Sequence, residues 1–160
     1  MMPPADSRAI RDAYACFPSG VAALCALVDG QPVGMAASSF TTVSLEPPLV
    51  CVCIQSTSTT WPRLRSSPRL GVSFLGVDHD AVCRQLSAKT GDRFADIRWE
   101  SSAAGAVFIE GASVWLECAI DQCITAGDHE IALLRIETLK VEPHVSPLVF
   151  HASRFRGLAP

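Results

Sequence analysis

The chain has 160 residues, of which 49% are hydrophobic and 18% are charged, and its formal net charge is −3. This length predicts one domain, residues 1–160, with a sizeable core. An acidic balance without a basic stripe argues against a nucleic-acid partner. No signal-peptide pattern opens the chain, and no apolar run is long enough to span a bilayer. We therefore expect a cytoplasmic protein that contacts neither nucleic acid nor membrane.

The hydrophobic share is high for a small domain, and this predicts that a second copy of the chain covers part of the surface as a homodimer. The seven cysteines lie mostly inside apolar runs, where a reducing compartment makes them small hydrophobic residues. There is no CxxC pair, and His79 with Cys83 would supply only half of a ligand set. We expect no metal site.

The first half of the chain predicts one helix, a hairpin, a further strand and a second helix. Ser7 can cap the first helix, whose apolar positions share one face: Ile10, Tyr14 and Phe17. An Asp-Gly pair joins the apolar runs Val21–Val28 and Val33–Phe40, which is a strong hairpin signal. A third strand covers Leu49–Ile54, and a short helix follows near Pro62–Ser66.

The second half predicts one helix and four more strands. Asp78 can cap the helix, which runs to about Ala88. The predicted strands are Leu70–Leu75, Ala112–Cys123, His129–Val141 and Pro147–His151, followed by a tail at Phe155–Leu158. Because closure of a sheet removes its exposed edges, we expect a mainly β fold, a closed antiparallel barrel with a few short helices.

Several common catalytic motifs are absent from the sequence. It contains no GxSxG elbow, no phosphate loop ending in Gly-Lys-Ser/Thr, no HExxH and no GxGxxG. An enzyme of this sequence that used a nicotinamide nucleotide would therefore have to bind it without a Rossmann unit.

The run Gly34–Val50 is small and hydroxylic in its first half and ends at Glu46-Pro47-Pro48. Small side chains let a flat ligand approach the backbone, whose N–H groups can bond the polar edge of that ligand together with hydroxyls. A Ser/Thr-rich strand followed by a proline corner has the same composition. The residues alone leave both interpretations open.

Three further groups of residues also have a plain interpretation. Ser58 and Thr60 stand where a helix is predicted to begin, so hydroxyls and unpaired N–H groups can converge there on an anion, or simply cap the helix. Lys89 and Arg93 can add charge to that site or form a solvated loop face. His129 follows Gly-Asp, a pair that is also ordinary in turns.

In order and spacing, these segments resemble the flavin reductase family, the small partners of two-component monooxygenases. The resemblance extends from about Tyr14 to Leu158. Its other matching segments are Tyr14–Gly20, Ser58 with Thr60, Lys89–Phe94 followed by Trp99, Gly127–His129 and Pro147–His151. It implies the FMN-binding split barrel, usually a homodimer with flavin sites near the subunit interface.

The resemblance also implies a set of site residues and an activity. The implied flavin contacts are Met35, Ala36, Ala37, Ser38, Ser39, Phe40, Thr41, Ser58, Thr60, Lys89 and Arg93. His129 would stand on the nicotinamide side of the flavin as the catalytic residue. The implied reaction reduces FMN or FAD with NADH or NADPH and supplies reduced flavin to a separate oxygenase. Hydride transfer of this kind needs stacking and orientation rather than a protein nucleophile.

Two alternatives remain within the same fold. One is a flavoprotein that holds flavin as an electron carrier without catalysing its reduction. The other is a split-barrel oxidase that acts directly on a small molecule, as pyridoxamine phosphate oxidases do. Oxidation of NAD(P)H distinguishes the flavin reductase from both.

Overall fold

A computed structural model describes residues 6–158. The helices are α1 Ser7–Ala15, α2 Trp61–Arg65 and α3 Asp80–Leu86, with a 3₁₀ turn at Val77–His79 directly before α3. The strands are β1 Ser19–Gly20, β2 Ala22–Val28, β3 Gln31–Ala37, β4 Thr41–Leu45, β5 Pro48–Gln55, β6 Leu70–Phe74, β7 Trp99–Ser101, β8 Val107–Ile109, β9 Val114–Ala126, β10 His129–Val141, β11 Val149–His151 and β12 Arg154–Arg156. Within residues 6–158, no helix has the length and apolar character needed to cross a membrane.

Seven strands form one antiparallel sheet in the order β3-β2-β6-β9-β10-β5-β4. Two smaller sheets accompany it, β1-β11-β12 and β7-β8. The predicted hairpin is β2 and β3, and the two predicted long strands are β9 and β10. The expected mainly β fold with a few short helices is confirmed.

The strand order forces the large sheet to curl. Although β3 and β4 lie at opposite ends of the sheet, only residues 38–40 separate them. Seven strands side by side in a flat sheet would hold the two edges about 29 Å apart, whereas the link can span at most about 14 Å. The Ser39 hydroxyl bonds both backbone groups of Cys53 on β5, at 2.8 and 3.0 Å, and so ties the link to the far side of the sheet. Full closure of the barrel stays a prediction.

Both faces of β2 are buried, which explains why its sequence is apolar without alternation. Ala22, Leu24 and Ala26 belong to an inner core that also gathers side chains from β3, β5, β6, β9, β10 and α2. Ala23 and Cys25 belong to an outer core that α3 and β8 cover from the other side. The curled sheet is thus packed on both faces at β2, and this is where its position is fixed most firmly.

Several element boundaries differ from those expected; among the strands, the one expected over Val33–Phe40 ends at Ala37, and the one expected from Ala112 begins at Val114. The cap of α1 is Asp6 rather than Ser7, because the backbone of Asp6 is extended and its carboxylate accepts the Ala9 N–H at 2.7 Å. The helix expected from Asp78 is α3, which is shorter because the chain first makes the 3₁₀ turn. The C-terminal tail contains β12, which pairs with β11.

The buried cysteines behave as the small hydrophobic residues that the sequence predicts. All seven are unpaired thiols. Cys25 lies in the outer core and Cys118 in the inner core. Burial raises the pKa of each of these two thiols to about 12, which keeps them protonated and unreactive at neutral pH.

Strand β8 crosses β6 at Gly71, and the approach leaves no room for a side chain. A Cβ there would overlap the Val107 carbonyl oxygen and lie 2.7 Å from its carbonyl carbon. Two residues further along each strand, the buried hydroxyl of Ser73 on β6 accepts a hydrogen bond from the N–H of Ile109 on β8 at 3.0 Å. Close backbone contact and one buried hydrogen bond therefore hold β8 over the outer core.

We expect Gly71→Ala to lower the free energy of unfolding by about 1–3 kcal/mol, because the β8 backbone must move to admit the methyl group. Gly20→Ala is the matched control, since a Cβ at Gly20 meets no atom within 4 Å. Its effect should stay within about 0.5 kcal/mol. Urea denaturation of both variants measures the difference, and an unchanged midpoint for Gly71→Ala would contradict the packing described.

Candidate functional site

A cavity of about 790 Å³ opens where the end of β3 faces the end of β5 and the start of β10. This volume lies within the range of small-molecule and cofactor sites. Most of the residues singled out in the sequence line it: Met35, Ala36, Ala37, Ser38, Ser39, Ser58, Thr60, Lys89, Arg93 and His129. The curl of the sheet brings these residues together from five separate stretches of chain.

Two of the predicted flavin contacts, Phe40 and Thr41, do not line this cavity. Phe40 packs against the inner core, where its ring meets Phe74 edge to face with 4.6 Å between centroids. Thr41 is exposed and lies opposite Cys51 in the β4–β5 pair. The reason is the crossing of the chain from β3 to β4, which carries these two positions away from the cavity.

The cavity also has walls that were not predicted: Cys53, Ile54, Gln55, Thr57, Thr59, Leu86 and Ser87. The hydroxyl-rich run after β5 was a usable signal for the two threonines. Gln55 is opposite His129 in the β5–β10 register, so a correct strand pairing would also have placed it. Leu86 and Ser87 end α3, and no local pattern in the sequence marks them.

Strand β3 presents an open backbone edge to the cavity, because among residues 6–158 only β2 pairs with it in the sheet. The Gly34 carbonyl points to this edge, where Arg93 Nη1 donates to it at 3.1 Å. By the two-residue period of a strand, the N–H and C=O of Ala36 point the same way. Ala36 and Ala37 have small side chains, so they leave room for a flat ring to approach the backbone donors and acceptors of β3.

Arg93 is half-buried and is held by two acceptors at once. Besides the Gly34 carbonyl, its Nη1 reaches the Thr60 hydroxyl at 2.8 Å. The next residue, Phe94, is buried against Gly34, where an added Cβ would come within 2.9 Å of the Phe94 ring. The arginine is therefore fixed between β3 and the start of α2, with the rest of its guanidinium available to a ligand. Lys89 is exposed, and no hydrogen bond or ion pair of its ammonium occurs within residues 6–158.

The N–H groups of the first turn of α2 are engaged within the protein, so the unpaired N–H groups expected at this site are those of the preceding Thr57, Thr59 and Thr60. The Trp61 N–H donates to the Ser58 hydroxyl at 3.1 Å, and the N–H groups of Arg63 and Leu64 both donate to the Thr60 carbonyl at 3.1 Å. Pro62 has no N–H to offer. Ser58 thus bonds the helix start, and the positive charge available to an anion comes from Lys89 and Arg93.

A carboxylate on β10 anchors α2 against the sheet. Glu130 accepts the indole N–H of Trp61 at 2.6 Å and pairs with Arg65 at 3.1 Å. The Trp61 hydrogen bond, followed by a hydrogen bond from Cys123 and by the Arg65 charge, holds the pKa of Glu130 below its usual value. Because Ser58 and Thr60 directly precede α2, this anchor also sets the position of their hydroxyls.

His129 stands at the rim of the cavity beside an exposed carboxylate. Its Nδ1 lies 2.7 Å from Asp128 Oδ1, and this hydrogen bond lowers the pKa of the Asp128 carboxyl. An ionised carboxylate only accepts, so Nδ1 carries the proton and, in the neutral ring, Nε2 is an acceptor. The Ser56 N–H donates to the Asp128 carbonyl at 2.9 Å and joins this turn to the end of β5.

The residues considered for a metal have another role. The Nδ1 atom of His79 accepts the Gly76 N–H at 3.1 Å, and burial lowers the pKa of this imidazole. Cys83 belongs to the outer core. In the part of the chain that the structure describes, no group of three His, Cys, Asp or Glu side chains is arranged to hold a metal.

Comparison with known proteins gives consistent matches over the chain. Residues 14–159 match the flavin reductase like domain. A flavin reductase from Pseudomonas putida is 35% identical over 144 residues, covering 89% of this chain and 85% of that protein. The reductase subunit of a flavin-dependent monooxygenase from Rhodococcus jostii is 32% identical over 155 residues, covering 97% and 80%.

A solved structure agrees closely with the fold. The NADH:FAD oxidoreductase of Streptomyces globisporus C-1027, in complex with NAD and FAD fragments, has a TM-score of 0.93 and 34% identity, covering 100% of this chain and 97% of that one. The resemblance found in the sequence is thereby confirmed. This chain belongs to the family of flavin reductase-like domains.

Proposed function

We propose that this protein is an NAD(P)H:flavin oxidoreductase, which reduces FMN or FAD and supplies the reduced flavin to a separate monooxygenase. The observation that carries the proposal is a single cavity joining an open strand edge, two cationic side chains and a histidine oriented by a carboxylate. The similar proteins support it, since they include a flavin reductase, a monooxygenase reductase subunit and an NADH:FAD oxidoreductase.

The donor set of the cavity fits a flavin nucleotide. A flat ring would lie against the β3 edge at residues 35–39, whose backbone can bond its polar side. The phosphate would be held by Lys89 and Arg93, with hydroxyls from Thr57 to Thr60 around it. A bound flavin supplies a ring that accepts a hydride from reduced nicotinamide, and the protein contributes binding and orientation.

His129 would orient the nicotinamide. Its Nδ1 proton is committed to Asp128, which leaves Nε2 to accept a hydrogen bond from the carboxamide of the nicotinamide. In this role the imidazole neither attacks the substrate nor removes a proton from it. It limits the orientations in which the two rings can stack, and orientation is the main requirement of hydride transfer.

The direct test is anaerobic reduction. Purified protein with added FMN or FAD should lose the yellow flavin absorbance when NADH or NADPH is added, and admission of oxygen should restore it. An electron carrier without reductase activity would keep its colour under NAD(P)H but bleach with dithionite. An oxidase acting on a small molecule would behave the same way until that substrate was supplied.

We expect Lys89→Ala to weaken FMN binding by about ten- to a hundredfold, because one charge-assisted phosphate contact contributes roughly 1.5–3 kcal/mol. Riboflavin, which lacks the phosphate, should bind wild type and variant equally. Arg93→Ala should weaken both ligands, since it also releases Gly34 and Thr60. Fluorescence titration of wild type and both variants with the two ligands gives all six dissociation constants. If Lys89→Ala loses riboflavin as severely as FMN, Lys89 is not a phosphate ligand.

We expect His129→Ala to keep its flavin affinity and to slow anaerobic bleaching by NADH about ten- to a hundredfold, as the loss of an orienting contact does. Asp128→Ala should have a smaller effect in the same direction, because the imidazole remains but is free to rotate. His144→Ala is the control histidine, since it lies outside the cavity. Unchanged bleaching in folded His129→Ala would make this histidine an ordinary turn residue.

The proposal includes a homodimer, built on a closed split barrel. The face of β5, β10 and β9 opposite the inner core carries apolar side chains that remain partly exposed. In register, Cys51 is opposite Leu133, Cys53 is opposite Ile131, and Ile131 is opposite Ile124. Ile124 is 44% exposed, and the other four are half-buried. A second copy seated on this apolar face would cover it.

We expect wild-type protein to sediment as a dimer at micromolar concentration and Leu133→Glu to sediment as a monomer, because a charge would be buried without a partner. Leu139→Glu is the control, since Leu139 is 62% exposed and lies opposite Leu116 of the inner core, on the other face of β10. A wild-type monomer, or a dimeric Leu133→Glu variant, would contradict this interface.

A further inference from the structure

The hydroxyls of Ser58 and Thr60 both line the cavity, and each already accepts one hydrogen bond from the protein. The Ser58 oxygen accepts the Trp61 N–H at 3.1 Å, and the Thr60 oxygen accepts from Arg93 Nη1 at 2.8 Å. Within residues 6–158, neither hydroxyl donates a hydrogen bond. A hydroxyl has a single proton, so in both side chains that proton remains for a ligand.

Two hydrogen bonds connect β10 to the Ser58 hydroxyl. Glu130 Oε1 accepts the indole N–H of Trp61 at 2.6 Å, and the backbone N–H of the same tryptophan donates to Ser58. Trp61 is 5% exposed and belongs to the inner core, where close packing prevents its ring from turning away. Glu130 itself does not line the cavity, so its carboxylate reaches a ligand there through Trp61 and Ser58.

The ion pair with Arg65 is a separate contact of the same carboxylate. Arg65 Nη1 lies 3.1 Å from Glu130 Oε2, and the arginine side chain is 53% exposed. An ion pair so accessible to water contributes little to stability. Arg65 does not line the cavity either. The hydrogen bond from the indole is therefore the contact through which Glu130 acts on the site.

We propose that Glu130 is a positioning residue for the phosphate of the flavin nucleotide. The inference rests on the proposed function, since it takes that phosphate to lie beside Ser58 and Thr60. By fixing Trp61, Glu130 keeps the Ser58 oxygen engaged as an acceptor and leaves its proton for the phosphate. A phosphate dianion only accepts hydrogen bonds, so it gains fully from a hydroxyl held in this way. Riboflavin, which lacks the phosphate, does not.

The test compares Glu130→Ala with wild type in fluorescence titrations with FMN and with riboflavin. We expect FMN affinity to fall about tenfold, as for the loss of one charge-assisted hydrogen bond, while riboflavin affinity is unchanged. Removal of a negative charge would by itself strengthen the binding of an anion, so the direction of the change separates the two effects. Trp61→Phe keeps the buried ring and the backbone N–H but loses the indole N–H, and it should reproduce the result. This variant also decides the question if Glu130→Ala does not fold.

Two further variants show which contact of Glu130 matters. Glu130→Gln loses the charge but keeps an acceptor oxygen for the indole, so it should restore most of the FMN affinity. Glu117→Ala is the matched control. Glu117 on the neighbouring strand β9 is also paired with an arginine, Arg69, at 3.8 Å, but it does not line the cavity. Its loss should leave the ratio of FMN to riboflavin affinity unchanged.

A double-mutant cycle shows whether Glu130 acts through Ser58. Ser58→Ala has already lost the donor, so the addition of Glu130→Ala should lower FMN affinity no further. Additive losses would overturn the inference, as would an equal loss of FMN and riboflavin, or unchanged FMN affinity in Glu130→Ala and Trp61→Phe. Failure of wild type to bind flavin or to reduce it with NAD(P)H would instead refute the proposed function, so the two failures are distinguishable.

Discussion

The passage of the chain from β3 to β4 through three residues is the constraint on which the rest of the structure depends. Because these two strands end the strand order on opposite sides, so short a link cannot exist in a flat sheet. The sheet must curl, and the curl produces an inner core on one side and a cavity at the ends of β3 and β5. Ser39 fixes the link by bonding both backbone groups of Cys53.

The site is held together by polar contacts that join separate elements. Arg93 connects the loop after α3 to β3 and to the start of α2, while Glu130 connects α2 to β10. The hydroxyls that precede α2 are therefore positioned from two sides. Lys89 lines the same cavity but lies outside this framework, because its ammonium makes no hydrogen bond or ion pair within residues 6–158.

Much of this could be predicted from the sequence, since the relevant signals are local. The Asp-Gly hairpin, the long strands and the small, hydroxylic run at residues 34–39 all follow from residue type and spacing. Phe40 and Thr41, which do not line the cavity, continue the same run, and nothing local marks the point where the chain changes partners. The hydrogen bond from the Trp61 indole to Glu130 joins residues that are 69 positions apart in the sequence, so no local pattern predicts it.

The hydroxyls before α2 show a different limit. Ser58 and Thr60 do line the cavity, but composition could not show that both hydroxyls are engaged within the protein. Helix α2 has five residues and begins Trp-Pro. The N–H groups of its first turn already donate to the Ser58 hydroxyl and the Thr60 carbonyl. Only the coordinates distinguish a hydroxyl that holds the fold from one that is left for a ligand.

The open edge of β3 has a cost for the behaviour of the protein in concentrated solution. An unpaired strand edge is a template for pairing with another chain, and an edge left accessible to a flat ring is accessible to a strand as well. Two features of β3 oppose that outcome. Pro32 has no N–H to donate, and Arg93 already occupies the Gly34 carbonyl. The open sheet edge beside the cavity is thereby a poor partner for a polypeptide, which opposes edge-to-edge aggregation.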